Sequence, residues 1–201
     1  MSSFSTGEFA VQSHKIPSAT QDTVVARWFG RRFEELHPLI QQLHTDGGGL
    51  TGKVKISYGK GFSGLIGRRL GKKMNLPSAG LHRLVVNISH DHDALLWSRC
   101  FNGSVHVQSE FKPVGDIDRG YWIEETGPLT MHLKVDIHQG GWFWRCVQIR
   151  LWGLPIPRWL IPMTSAYKLI ENNQYRFHVS FTYPALGTLV SYHGLLSPQP
   201  N

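Results

Sequence analysis

The stretch KVKISYGKGFSGLIGRRLGKK, Lys53–Lys73, decides between two folds. It holds G-x-G-x-x-G at Gly59, Gly61 and Gly64, after a strand-like segment and before a helix-like one. A dinucleotide-binding turn is read in that order. Such a turn also needs a parallel, doubly buried first strand, which must be apolar throughout. Here Lys53, Lys55 and Ser57 alternate with Val54, Ile56 and Tyr58. The acidic residue nearest the required spacing, Asp91, falls in the polar turn HDHDA, and no strong helical pattern follows Met74. The glycines therefore read as a strand-to-helix turn, and no cofactor is expected.

The same two-residue alternation recurs outward from this stretch. Leu129, Met131, Leu133, Val135 and Ile137 alternate with polar residues, as do Tyr175, Phe177, Val179, Phe181 and Tyr183. Similar segments run near 81–89, 94–101, 104–111, 120–125, 142–152, 164–171 and 188–195. Strands with one buried and one wet face belong to antiparallel sheets. Turn signals separate them, among them Asn102–Gly103, Gly140–Gly141 and Asn172–Asn173. Helical spacing is confined to the first third. Val25, Phe29, Phe33, Leu36, Leu39, Ile40 and Leu43 share one helix face, with Thr20 or Asp22 as caps and a break expected at His37–Pro38.

The expected class is α+β: a curved antiparallel sheet of about ten strands forming a half or whole barrel, with an N-terminal helix and one short basic helix. Residues 1–20 read as a flexible lead-in, 21–197 as a single domain and 198–201 as a tail. The bulk numbers agree: 201 residues, 41% hydrophobic and 17% charged, suit one domain with a sizeable core. A net charge of +7 favours polyanions or an anionic membrane surface as neighbours. No zinc finger, RNP pattern or helix-turn-helix accompanies it, so nucleic acid is not the expected partner. The start MSSFSTGEFAVQSHK lacks the basic head and apolar core of a signal peptide, and Cys100 and Cys146 lie in apolar strands. A reduced, cytoplasmic setting is expected, with both thiols as small core residues.

Several segments carry candidate chemistry. Phe62, Leu65 and Ile66, followed by Arg68, Arg69, Lys72 and Lys73, make a glycine-weakened amphipathic helix, either a lid, a weak anionic-membrane contact or an ordinary cap. His90 and His92 have the spacing of a two-His metal site on a strand, but no third ligand is placed, so a solvated turn is expected and no metal. No G-x-S-x-G elbow is present, and Glu124 and Glu125 face opposite ways, so no catalytic residue is assigned. Arg99 and Arg145 are each flanked by aromatics, and either an inward guanidinium with an anion or a surface stack fits them. In LWGLPIPRWLIP, Leu151–Pro162, prolines forbid regular structure while Trp152, Trp159 and aliphatics demand burial. A loop over a cavity mouth and a core plug both satisfy that.

Taken together, FEELHPLIQQLH, MNLPSAG, LLWSRCF, WIEETGPLTMHLKV, LWGLPIPRWLIP and YRFHVSFTYPALGTLVSYHGLL resemble a bacterial family known only as a domain of unknown function, number 4166. The resemblance runs from about Phe33 to Leu196. It implies no activity and no catalytic residues. It does imply an association with saccharopine-dehydrogenase-like oxidoreductase domains, to which members are sometimes fused.

These readings converge on a non-enzymatic binding module for a hydrophobic or amphipathic, lipid-like small molecule. Met131, Leu133, Phe177, Phe181, Trp152, Trp159, Arg99 and Arg145 are its candidate ligand-binding residues. Alternatives are an accessory or catalytic domain acting with an oxidoreductase partner, and a protein-docking scaffold using the Trp/Pro-rich loop. The oligomeric state is left open.

Overall fold

The structure, a computed structural model, describes residues 23–126 and 129–199. The expected lead-in and the candidate caps Thr20 and Asp22 lie outside the described residues. The helical segment comes in three pieces: α1 (Val24–Phe29), a 3-10 stretch over Gly30–Glu35, and α2 (Pro38–Thr45). Thr23 caps α1, its hydroxyl accepting from the Ala26 amide at 3.2 Å. Pro38 opens α2, where its missing N–H is no loss. The residue before it, His37, is extended at ψ 139, which ends the preceding turn.

The rest is sheet. Its strands are β1 (Gly48–Tyr58), β2 (Gly80–His90), β3 (Leu95–Phe101), β4 (Val105–Val114), β5 (Tyr121–Thr126), β6 (Leu129–His138), β7 (Gly141–Leu151), β8 (Leu154–Pro155), β9 (Met163–Glu171), β10 (Gln174–Tyr183) and β11 (Gly187–Pro198). A single helix, α3 (Gly61–Lys73), interrupts them between β1 and β2. Neighbours follow chain order and every pair is antiparallel; β7 pairs with β6 and β9, and β11 returns to β1. The sheet is thus a closed ten-stranded up-and-down barrel, its last closure the short pairing of β7 with β9. The two-residue β8 only folds back on β7. Tight left-handed turns enforce this order, as at Asn102–Gly103, Gln139–Gly140 and Asn172–Asn173, all with positive φ.

The two ends of the barrel differ. At the end where β1 begins, α1 and α2 push side chains into the lumen. Trp28 packs edge-on against Trp122 at 5.3 Å and Phe29 against Trp142 at 4.7 Å. Hydrogen bonds tie this plug to the rim: the Trp28 indole Nε1 donates to the Val114 carbonyl, the Ile117 amide to the Trp28 carbonyl, and the His37 amide to the Gly140 carbonyl. The expected helix face, Val25 through Leu43, is therefore turned into the barrel, with Leu39 only half-buried.

At the other end, α3 lies against β11 and β1. Its inner face is made of Ser63, Gly64, Gly67 and Gly71, all buried. A Cβ at Gly67 would run into the Leu189 carbonyl, and one at Gly64 into the Gly59 carbonyl. One at Gly71 would strike the Tyr58 ring. The glycines exist for this backbone-to-backbone approach, which also answers the G-x-G-x-x-G question: Gly59 itself sits against the Thr188 carbonyl. The expected apolar stripe is correspondingly turned around. Phe62 is 66% exposed and Leu65 48%, so the large apolar groups face out. The helix is thus seated directly on the backbone of β11 and beside Tyr58 of β1.

Candidate functional site

Strand alternation sends one residue in two into the lumen, and the lumen has two halves. The half nearest the plug is sealed by Trp122, Trp142, Tyr175, Leu50, Ile88 and Leu95, all essentially inaccessible. Within it sits Lys168 of β9, a buried cation with no carboxylate partner. Its Nζ lies 2.7 Å from His44 Nε2 and 3.5 Å from the centre of the Trp142 ring, with Trp97 at 4.5 Å. Burying an ion costs several kcal/mol, against about 2 kcal/mol for a desolvated cation–π contact. The aromatic box therefore reduces the penalty without cancelling it, and burial holds Lys168 well below the ordinary lysine range. Burial, and then the Lys168 charge, likewise push His44 down. His90 is lowered by the same two causes. One N–H bridges the 2.7 Å contact, the other nitrogen supplying the lone pair.

Toward the α3 end the inward residues are only half-buried, among them Val107, Met131, Cys146, Ile149, Val179 and Phe181. Between the halves stands a second polar group. The Arg99 guanidinium donates to the Ser109 hydroxyl and, at 3.4 Å, to the Tyr192 hydroxyl. Its Nε is buried without a hydrogen-bond partner. Glu124 feels its charge and hydrogen-bonds Ser109. Part of Glu124 reaches solvent, but its carboxyl is packed by protein, so burial raises its pKa while Arg99 and Ser109 oppose the rise. Burial also raises Tyr192 and Cys146. An arginine is always charged, and its fork matches a carboxylate or phosphate bidentately.

The wall opens on one side of this half. β7 and β9 pair only through Trp142–Trp144 and Lys168–Ala166. Above that seam they part, and the hairpin of β7 with β8 occupies the split, the Ile156 amide donating to Ile149 at 2.9 Å.

The candidate ligand-binding residues divide accordingly. Met131, Leu133, Phe177 and Phe181 share the lumen face, with Leu133 and Phe177 buried in the core. Arg99 is inward, whereas Arg145 stands on the outer wall in an ion pair with Asp136 at 2.9 Å. Trp152 and Trp159 neither line nor plug the lumen: they are 77% and 72% exposed. Their loop is held off the barrel, its Trp159 carbonyl accepting from the Tyr183 hydroxyl at 2.6 Å. The outward residues of α3, Phe62, Leu65, Arg68, Arg69, Lys72 and Lys73, lie at this same end, with Ile66 half-buried behind them.

Sequence reasoning missed Lys168, His44, Ser109 and Tyr192, and it set Glu124 aside. A usable signal existed for Lys168, which takes the inward beat after Ala166 and before Ile170. His44 likewise follows Ile40 by one helix turn. Of the histidine turn, His92 bonds Asp93 at 2.7 Å in solvent while His90 faces the Lys168 box. Among the described residues, no three His, Cys, Asp or Glu side chains gather as a metal site requires. No described helix is long and apolar enough to cross a membrane.

Two depressions lie on the outer wall. One, of about 310 Å³, is formed by β1 and β2 around Lys53 and Arg83. The other, of about 180 Å³, is formed by β2–β4 around Asn87, Cys100 and His106. The half of the lumen next to the plug is filled, by the plug and by its own aromatics.

A plugged, ten-stranded up-and-down barrel with a charged group midway along its lumen defines the structural class. Residues 36–196 match the family model described as Domain of unknown function (DUF4166), and the chain belongs to that family. Neither a curated protein nor a solved structure matches it.

Proposed function

We propose that the barrel binds one amphipathic, lipid-like molecule in its half-open upper lumen. The tail lies along Met131, Val179 and Phe181, and a carboxylate or phosphate head sits on Arg99. The observation that carries this reading is the inward Arg99, held by two hydroxyls and in no ion pair with a carboxylate among the described residues. A ligand carboxylate or phosphate supplies the bidentate anionic contact that the two neutral hydroxyls cannot. Room for the tail comes from moving half-buried side chains and from the parting of β7 and β9.

Native mass spectrometry of the purified protein, followed by organic extraction, tests the reading. An extra mass that vanishes on unfolding and is lost in Arg99→Met supports it. A clean apo mass, unchanged after incubation with oleate and mixed phospholipids, would overturn it.

A second reading, a domain assisting an oxidoreductase partner, draws on the buried Lys168–His44 pair, since strongly perturbed groups cluster at functional sites. It predicts that a hydrophobic aldehyde with cyanoborohydride labels Lys168; the absence of any label on the folded protein counts against it.

A further inference from the structure

Two exposed features of different origin meet at the α3 end of the barrel. The first is the outer face of α3, where Phe62 and Leu65 precede Arg68, Arg69, Lys72 and Lys73. None of these four cations has an ion-pair partner among the described residues. The second is the loop between β7 and β9, which exposes Trp152, Leu154, Trp159, Leu160 and Met163. Its tip is unusual, because Trp152 holds a left-handed φ of 49 in a turn where Asn or Gly is the low-cost residue. The topology makes them neighbours: α3 rests on the start of β11, β10 ends beside that start, and the Tyr183 hydroxyl at the end of β10 holds the Trp159 carbonyl.

Charge separates along the barrel axis in the same sense. No Asp or Glu occurs between residues 47 and 90 or between 137 and 170, the stretches that hold α3 and the Trp152–Met163 loop; Glu124 and Glu125, late in β5, are the acids on this side. Most described acids lie toward the plugged end instead, among them Glu34, Glu35, Asp46, Asp91, Asp93, Asp116 and Asp118 in its helices and turns and Glu171 at the end of β9. A face that pairs large exposed apolar tips with unpaired cations, and is backed by an acidic opposite pole, complements an anionic lipid surface. A protein partner would need no such polarity.

We propose that the barrel docks, with α3 and the Trp152–Met163 loop foremost, onto the surface of an anionic phospholipid bilayer. The Trp and Phe tips enter the headgroup region while the basic residues of α3 hold the phosphates. Contact is interfacial: the strands stay outside the bilayer, since their outer wall carries charges such as Lys53, Lys55, Arg145 and Asp136. This inference does not depend on a lumen ligand, because sedimentation reads the rim and native mass reads the lumen, and either can fail alone.

The test is sedimentation of the full chain with vesicles of phosphatidylcholine alone or mixed with phosphatidylglycerol, at low and high salt. Binding is expected only to the anionic vesicles and should weaken as salt is raised. Each basic residue near an anionic leaflet contributes a factor of about five, so Arg69→Gln/Lys72→Gln should lower partitioning about 25-fold. Trp152→Asn/Trp159→Ser should weaken binding even at low salt, with the wild-type melting temperature kept. No sedimentation of the wild type at low salt would overturn the proposal, as would equal sedimentation of every variant. So would a concentration-dependent dimer, abolished by the tryptophan variant, in a protein that ignores vesicles; that result assigns the face to a second copy.

Discussion

Trp142 begins β7 and Trp152 follows its end, yet Trp142 is fully buried against Phe29 and Lys168 while Trp152 stands 77% exposed. Neither composition nor local pattern separates them. The strand carries its first half into a lumen already occupied by the helical plug, and its second half past the seam where β9 leaves. At the plugged end, aromatic rings interlock and even a lysine is enclosed. At the other end, a glycine seam brings α3 so close that its large apolar residues have nowhere to point but outward. Tight packing of small residues inside thus produces an exposed apolar face outside.

Truncating the two tryptophans should separate the ends most clearly. Trp142→Ala is expected to cost about 3–5 kcal/mol in urea unfolding, the range for a large core side chain. Trp152→Ala should change stability by less than about 0.5 kcal/mol, as an exposed residue does. Equal losses would mean that the loop is packed. Gly67→Ala comes next: its methyl meets the Leu189 carbonyl, and forced overpacking costs about 1–3 kcal/mol. A melting temperature that does not fall would show that α3 is loosely seated.

Lys168→Met offers a smaller effect of opposite sign. Replacing a fully buried amine, whose burial penalises the charged form, by an apolar chain should raise stability at neutral pH by about 1 kcal/mol or more. The pH dependence follows from the direction of the shift. Between the depressed folded-state value and the ordinary 10.5, the unfolded chain binds a proton that the folded chain does not. Wild-type stability therefore rises with pH across that window, and Lys168→Met flattens the rise. His44 adds the same sign at lower pH, where unfolding protonates it below the ordinary 6.5. Chemical denaturation across this range reads both, and an unchanged slope in Lys168→Met would show Lys168 to be charged in the fold.

Much of the fold was legible because alternation is a local property. Lys53–Tyr58, Leu129–Ile137 and Tyr175–Tyr183 each state which face is wet, and short Asn/Gly turns leave antiparallel neighbours as the simplest order. The lumen face of Met131, Leu133, Phe177 and Phe181 followed from the same period. Placement of the N-terminal helices in the lumen did not, since periodicity reports that a face is buried but not against what. The polar groups were mostly illegible for a related reason: Arg99, Ser109, Glu124 and Tyr192 come from four strands, and only barrel closure brings them together.

By itself, then, the sequence determined strand count, face polarity, the break at Pro38 and the excess of positive charge, all properties of neighbouring residues. Tertiary structure alone decided that Gly64, Gly67 and Gly71 form a contact seam, that Arg99 turns in while Arg145 turns out, and that two acid-free segments share one rim. Those outcomes depend on contacts between residues far apart in the chain, whose energies no local pattern contains.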